Sequence, residues 1–348
     1  MNRSVLSLLG LFTFGLLACG HQTTTPEGAL STTPIAALSG DAVYVVNGGD
    51  SSISVINPLT NQLLGTIAIQ NGMFPHHIYL SADRASLLVA IPGVDLSASH
   101  GGELHGTQGA VLVLEATTGK TLAATRLAMM NHNAIYSPDG TEVWTSQMMA
   151  PGQVLVLDAK TLATKQSIAV GDMPAEVTFS RDGKYAFVAN GMSDSVTVID
   201  PVTKKVVKTI PVGKNPVGPW PGSDGVMYTD NEDGMSLSAI DATSLTVVRT
   251  YDLGFMPGMV ATVGPSELWI TNSDDGKVVF NATTMDKKTG EVTTGAGAHG
   301  LVLSTDGKTA YVTNQGANTV SVLDTAARTV KATLAVGKKP NGLVFRSR

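Results

Sequence analysis

The chain has 348 residues, of which 43% are hydrophobic and 5% aromatic, and its formal net charge at pH 7 is −5. This slightly acidic balance, without a run of basic residues, argues against a nucleic-acid-binding surface, so nucleic acid is not an expected partner. The single cysteine, Cys19, excludes a disulfide framework, a thiolate metal site and a cysteine nucleophile in the mature domain.

The first segment of the chain, residues 1–19, has the pattern of a signal peptide. Arg3 precedes an apolar run over 5–17 that is too short to span a bilayer. The run ends in Leu-Leu-Ala-Cys, which resembles a bacterial lipobox and implies export and lipidation at Cys19. We therefore expect a cell-envelope protein held to a membrane, with a weak preference for the outer one, through its N-terminal lipid; an ordinary signal peptide is the alternative. Residues 20–40, rich in Thr, Pro, Ser and Ala, predict a flexible tether.

From residue 41 onward the chain repeats itself. The segment at 41–48, Asp-Ala-Val-Tyr-Val-Val-Asn-Gly, recurs in related form at 184–191 and 309–315. After each copy comes an alternating apolar run that closes on a polar residue; these residues are Asn57, Glu115, Asp158, Asp200, Asp241, Asn281 and Asp324. Seven units spaced by about forty residues, each with four β-type segments, predict an all-β fold, a seven-bladed β-propeller of four-stranded antiparallel blades over 41–348.

The register of the repeat also predicts how the ring closes. The propeller begins on a strand at 42–46 and ends on one at 341–346. We expect the last strand to be innermost in the sheet that the first strand begins, so that one blade is closed by both termini and an exposed edge is removed. The protein is expected to be a monomer.

The repeat motif carries a family resemblance. Tyr311-Val-Thr-Asn314, with Ser-x-Asp-Gly before it and Val-Ser-Val-Leu-Asp after it, resembles the YVTN family of bacterial seven-bladed β-propellers. The resemblance covers 41–348 and implies the fold and an extracytoplasmic location. It implies little about function, because the motif consists of scaffold residues.

Histidine and methionine are concentrated in the loops of one predicted face of the propeller. The histidines in these loops are His76, His77, His100, His105, His132 and His299. The methionines in these loops are Met73, Met129, Met130, Met148, Met149, Met173, Met192, Met235, Met256 and Met259. Imidazole and thioether groups together form a soft ligand set that suits copper.

Three of these histidines occupy one repeat position. His76, His132 and His299 each follow the turn that leads into a predicted innermost strand, with Asn341 at the same position and Glu176 at the neighbouring one. Imidazoles that converge from separate rigid strands can preorganise a metal site, which we predict at the mouth of the central channel. Single hydrogen-bonded histidines at a polar channel mouth are the alternative.

Further residues are predicted as auxiliary ligands. His77 is a weaker candidate, because strand alternation would point it away from His76. An insertion over 95–109 carries His100, Glu103 and His105, which could complete the coordination or form a lid, or belong to a surface loop without a role. Met129 and Met130 could transfer Cu(I) or form an apolar patch for a protein partner.

Other features receive structural interpretations. Trp220 lies in a proline-rich innermost strand and is expected to wall the channel. Most of the acidic residues in the loops of the same face are expected in strand-connecting turns, with a calcium site built from them as the alternative; they are Asp194, Asp230, Glu232, Asp233, Asp274 and Asp275.

The pattern predicts a lipid-anchored copper-binding propeller for storage, delivery or detoxification. A copper-dependent oxidoreductase is one alternative, since the propellers of nitrous oxide reductase and methanethiol oxidase are similar in architecture and carry histidine-bound copper at such a mouth. A metal-free adhesion or interaction scaffold, with a periplasmic or cell-surface partner on the Met-rich face, is the other.

Overall fold

The computed structural model describes residues 28–97 and 107–348. Cys19 and the predicted signal peptide therefore lie outside the described residues, as do His100, Glu103 and His105 of the insertion. Within the described ranges there are two short 3-10 turns, Gly48–Asp50 and Gly191–Ser193, and no α-helix. No helix in this part of the chain is long and apolar enough to cross a membrane.

The strands, in chain order, are β1 (Ser31–Thr33), β2 (Ala42–Asn47), β3 (Ser52–Asn57), β4 (Gln62–Gln70), β5 (Ile78–Leu80), β6 (Ser86–Ile91), β7 (Ala110–Glu115), β8 (Thr121–Arg126), β9 (Ala134–Tyr136), β10 (Glu142–Gln147), β11 (Gln153–Asp158), β12 (Thr164–Ala169), β13 (Pro174–Phe179), β14 (Ala186–Asn190), β15 (Ser195–Asp200), β16 (Lys205–Pro211), β17 (Pro216–Pro221), β18 (Val226–Asn231), β19 (Ser236–Asp241), β20 (Thr246–Asp252), β21 (Pro257–Val263), β22 (Glu267–Asn272), β23 (Lys277–Ala282), β24 (Lys288–Thr293), β25 (Ala298–Leu303), β26 (Thr309–Asn314), β27 (Thr319–Asp324), β28 (Thr329–Ala335) and β29 (Pro340–Arg346).

The strands form seven antiparallel sheets, which confirms the predicted seven-bladed propeller. Six sheets have four strands that follow one another in sequence, such as β5-β6-β7-β8 and β13-β14-β15-β16. The innermost strand of each sheet contacts the innermost strand of the next, so β5, β9, β13, β17, β21, β25 and β29 form a closed inner ring. These seven strands surround the central channel.

The remaining sheet contains both ends of the propeller. Its order is β1-β4-β3-β2-β29, and β29 pairs antiparallel with β2, with Val45 opposite Leu343. The last strand is thus the innermost strand of the blade that β2 begins, as predicted. Closing the ring by hydrogen bonds between distant parts of the chain removes a free sheet edge.

The repeated asparagine of the motif supports a turn. Asn190 at the end of β14 donates through Nδ2 to Ser195 Oγ at 3.2 Å and to Thr197 Oγ1 at 2.9 Å. The equivalent side chains Asn47, Asn231 and Asn314 make the same kind of bonds to the following strand. Buried amides of this kind fix the hairpin geometry, which explains why the motif reports the fold and not an activity.

The segment before the propeller differs from the predicted tether. β1, within residues 20–40, pairs with the outer strand β4 and adds a fifth strand to its sheet. Leu30 is buried, and Ile35 and Leu38 pack against the same hydrophobic cluster. Burial of these apolar side chains stabilises an ordered segment that composition alone assigned to a linker.

Candidate metal centre

The inner loops, which lead into the innermost strands, share an unusual backbone geometry. The residue before the proline has a positive φ in four of them: 55° at Phe74, 50° at Met173, 51° at Asn215 and 50° at Lys339. L-residues rarely adopt this left-handed conformation, so the surrounding fold must hold it in place. Within the site, this turn precedes His76, Glu176 and Asn341.

Close backbone packing fixes the loop that carries His76. Gly342 N donates a hydrogen bond to His76 O at 2.8 Å. A Cβ atom at position 342 would lie 2.8 Å from that oxygen and 2.9 Å from His77 Cα. Glycine at this position therefore lets β29 approach the histidine loop of the next blade.

His76 and His132 face each other at the centre of the site. Their Nε2 atoms are 3.2 Å apart and their ring centroids 4.4 Å apart. Both residues are buried, with 2% and 1% of their surface exposed. Two imidazole nitrogens from neighbouring blades thus converge on one point that is shielded from solvent.

The outer ring nitrogens of the same two histidines also have partners. His132 Nδ1 lies 3.3 Å from Glu176 Oε1. His76 Nδ1 is in hydrogen-bond contact with the amide nitrogen of Asn341. Each ring is therefore oriented from behind by a residue of another blade, as hydrogen-bonding partners commonly orient metal ligands.

His77 belongs to the same cluster, which the alternation argument did not predict. One possible ligand atom from each of His76, His77 and His132 can be chosen so that all three lie within 4.8 Å of one another. The expectation that His77 points away was wrong, because β5 begins only at Ile78 and strand alternation does not apply before it. His77 Nε2 instead contacts Glu176 Oε1 at 2.9 Å.

Glu176 is a buried carboxylate that several groups hold in its charged form. Tyr79 Oη donates to Oε2 at 3.2 Å, and Asn133 Nδ2 donates to it at 3.4 Å. Burial alone would raise its pKa, but the charge of His77 and the contacts from His132 and His77 outweigh that effect and hold the pKa of Glu176 well below its usual range. The site therefore contains a buried negative charge that neighbouring imidazoles balance.

Sequence reasoning missed Tyr79 and Asn133. Asn133 also pairs with the backbone of Val177, which joins the third blade to the fourth beneath the site. Burial and contact with Glu176 raise the pKa of Tyr79 well above its ordinary value, so its hydroxyl remains a donor. Their positions in the sequence could have indicated them, because Tyr79 and Asn133 each lie within three residues of a predicted ligand.

Asp230 was expected in a turn, and this expectation was wrong. It lies within β18, which continues to Asn231, and only 1% of its surface is exposed. Oδ1 accepts hydrogen bonds from Trp220 Nε1 at 2.7 Å and from Gly218 N at 2.9 Å. Burial, then the charges of Glu232 and Glu176, raise the pKa of Asp230 well above its ordinary value.

His299 lies at the edge of the cluster. It follows Ala298 at the start of β25, is partly exposed, and its ring centroid is 5.9 Å from that of His76. The repeat thus places it next to the other rings, but outside the group of converging ligand atoms.

The methionines near the site have packing environments. Met130 is fully buried in a small cluster with Met148, Met173, Val94 and Leu96. Met129 is partly buried, and its N–H donates to Gln147 Oε1 at 3.1 Å. Burial among apolar side chains accounts for Met130, while its role as a copper ligand stays a prediction.

The described start of the insertion covers the face of the inner loops. Val94 and Leu96 pack on methionines of the third and fourth blades, and Asp95 forms an ion pair with Lys339 beside the closing strand. Lys339 also donates to Ser97 Oγ at 3.2 Å. This segment, residues 92–97, is called the arm below; it bridges the blades that supply His132, Glu176 and Asn341.

Solved structures with the same fold include several enzymes. The periplasmic gluconolactonase PpgL of Pseudomonas aeruginosa is 18% identical, with a TM-score of 0.72 over 89% of this chain and 99% of the other. A putative 6-phosphogluconolactonase of Bacteroides fragilis is 16% identical, with a TM-score of 0.69 over 89% and 99%. The dihydro-heme d1 dehydrogenase NirN is 16% identical, with a TM-score of 0.64 over 90% and 79%. At these identities the likeness shows the fold alone.

Sequence comparison identifies the family. A search of curated proteins found no significant match. The sequence model of one propeller family matches residues 12–155 and 138–225, which together span more than half of the chain. The chain belongs to the YNCE-like β-propeller family.

Proposed function

We propose that this propeller binds one first-row transition metal ion, with copper as the expected ion, between His76 and His132. The observation that carries the proposal is the convergence of their Nε2 atoms to 3.2 Å in a buried site. His77 and the partly exposed His299 are the further imidazoles within reach.

The spacing suits bonds to a common ion. Two nitrogens 3.2 Å apart, each about 2.0–2.1 Å from one metal, subtend an angle of about 105° at the metal. This angle is close to tetrahedral and far from the straight line of a two-coordinate ion. A tetrahedral site leaves room for a third imidazole and one more ligand.

Glu176 and Asn341, behind the two rings, can set the tautomers that metal binding needs. A neutral His132 that donates from Nδ1 to Glu176 keeps the lone pair of Nε2 free. His76 needs the same tautomer, with Nδ1 as the donor. Asn341 can accept the hydrogen bond from His76 Nδ1 when its amide is turned so that Oδ1, not Nδ2, faces that nitrogen.

Buried charge also favours a cation. Glu176 is ionised and buried, and its partners are two imidazoles, a phenol hydroxyl and an amide. A metal ion bound by neutral histidines would balance this charge.

Copper is preferred on grounds of affinity. Imidazole ligands suit copper, zinc, iron and nickel, and among divalent ions copper binds such nitrogen sites most tightly. With lipidation at Cys19 and the YVTN-type repeat, we propose a lipid-anchored envelope protein that stores, delivers or detoxifies copper. A copper-dependent oxidoreductase would use the same ligands.

The test is the metal content of the purified full-length protein after separate loading with Cu(II) and with Zn(II), followed by desalting. We expect about one copper per chain, lost in the variant His76→Ala/His132→Ala and largely retained in His299→Ala. Wild-type protein that stays metal-free, or a double variant that retains the metal, would overturn the proposal. The metal-free interaction scaffold would then be the better description.

A further inference from the structure

The central channel contains a cavity of about 550 Å³ on the side away from the inner loops. All seven innermost strands contribute to its wall. One end reaches His77 and Trp220, and the other reaches Arg181 and neighbouring turn residues that are exposed. The volume lies within the range of about 300–1,000 Å³ that is usual for small-molecule sites.

The wall is mainly apolar and partly aromatic. Phe179, Leu301, Leu343 and Val260 are nearly buried side chains from four different blades, and Tyr136 adds a further ring. A channel lined in this way holds water poorly, because few of its groups can hydrogen-bond to it. Rigid apolar walls with few polar groups are typical of sites for small organic ligands.

The inner end of the cavity carries three side chains with polar groups, Tyr79, His77 and Trp220. Tyr79 and His77 both contact the buried carboxyl group of Glu176 behind the wall. Trp220 directs its N–H to the buried Asp230. Arg181, at the other end, is the cationic side chain of the described lining, so an anionic group at the inner end would be buried without an ionic partner.

We infer that the channel cavity is a binding site for an uncharged, largely aromatic small molecule, which enters from the side of Arg181 and ends against His77. The cavity does not depend on a metal, so this inference goes beyond the proposed function. The arm packs on methionines of the inner loops and is not part of the cavity wall.

A matched pair of fluorescent dyes tests the site. N-phenyl-1-naphthylamine is uncharged, and 1-anilinonaphthalene-8-sulfonate is the same molecule with a sulfonate. We expect saturable binding of one uncharged dye per chain, about tenfold tighter than binding of the sulfonate. Titration of metal-free and copper-loaded protein separates this result from the metal proposal, since the metal-free protein should bind the dye as well.

Two bulky substitutions locate the dye. Val302→Trp and, on another blade, Val344→Trp narrow the cavity and should each weaken binding at least about tenfold. Val248→Trp, at an exposed position of the outer strand β20, is the matched control and should leave binding unchanged. Thermal unfolding identifies any variant that is not folded. Absence of saturable binding, preference for the sulfonate, or equal binding by folded cavity and control variants would overturn the inference.

Discussion

His76 Nε2 lies 3.2 Å from His132 Nε2, although 56 residues separate the two in the sequence. The contact joins equivalent positions of adjacent blades, so the propeller symmetry itself creates it. Behind the two rings, Asn341 and Glu176 contact the opposite nitrogens. Four blades therefore contribute to one continuous chain of polar groups.

The charge of Glu176 should matter for metal affinity. Glu176→Gln keeps the size of the side chain but removes the carboxylate that orients His132 and balances the ion. We expect copper affinity, measured by competition with a chromogenic chelator, to fall by about 10- to 100-fold. Glu291→Gln on the exposed strand β24 is the matched control. Equal affinities in the two variants would show that Glu176 does not act on the ligands.

Asn341 should control the tautomer of His76. In Asn341→Asp the carboxylate can only accept, so it fixes the proton on His76 Nδ1 and leaves Nε2 free for the metal. We expect copper affinity to rise by about tenfold. The metal-free protein should be less stable by about 1–3 kcal/mol, because it gains a buried charge.

Asn341→Leu provides the opposite change at the same position. It removes the hydrogen bond to His76 and should lower copper affinity. The two variants would be compared in the same competition assay. A loss of affinity in both would contradict the tautomer argument.

Asp230 should make the protein less stable as the pH rises. Its folded-state pKa is raised, first by burial and then by Glu232 and Glu176, above an unfolded value of about 3.9. At pH values between the unfolded-state and the folded-state pKa, the unfolded chain releases the proton of Asp230 and the folded chain retains it. The free energy of unfolding should therefore fall by up to about 1.4 kcal/mol per pH unit above pH 4, until the folded-state pKa is reached.

Asp230→Asn tests this pH dependence. The amide oxygen can accept the same bonds from Trp220 and Gly218, and the amide cannot ionise. We expect denaturant titrations from pH 4 to pH 8 to show a flatter profile and higher stability at neutral pH. Asp252→Asn, at an exposed position, should retain the wild-type profile. A variant that is less stable at pH 7 would mean that Asp230 is needed in its charged form.

The arm should limit exchange of the metal on the face of the inner loops. Leu96 is 2% exposed and packs on Met130, Met148 and Met173. Leu96→Ala removes buried methyl groups and should favour local opening, with hydrogen exchange over 92–97 and copper release to a chelator both faster by at least about tenfold. Leu59→Ala, 88% exposed, is the matched control. Unchanged release would indicate that the metal leaves by another route, of which the channel cavity is the candidate.

The repeat made much of the fold, and part of the candidate site, predictable from the sequence. A period of about forty residues with four alternating segments determines the blade, the closing pair β2 and β29, and the equivalence of His76, His132 and His299. These features depend on local alternation and on counting, which the sequence records directly. The same counting located Glu176 and Asn341 beside the histidines.

Other features required the tertiary structure. The inclusion of His77, the outer position of His299 and the burial of Asp230 depend on where strands begin and end and how adjacent blades pack. The attachment of β1 and the position of the arm depend on contacts between residues far apart in sequence. Periodicity assigns each residue a place in its blade. The direction of a side chain and the residues that cover it depend on packing between blades, which a repeat pattern does not record.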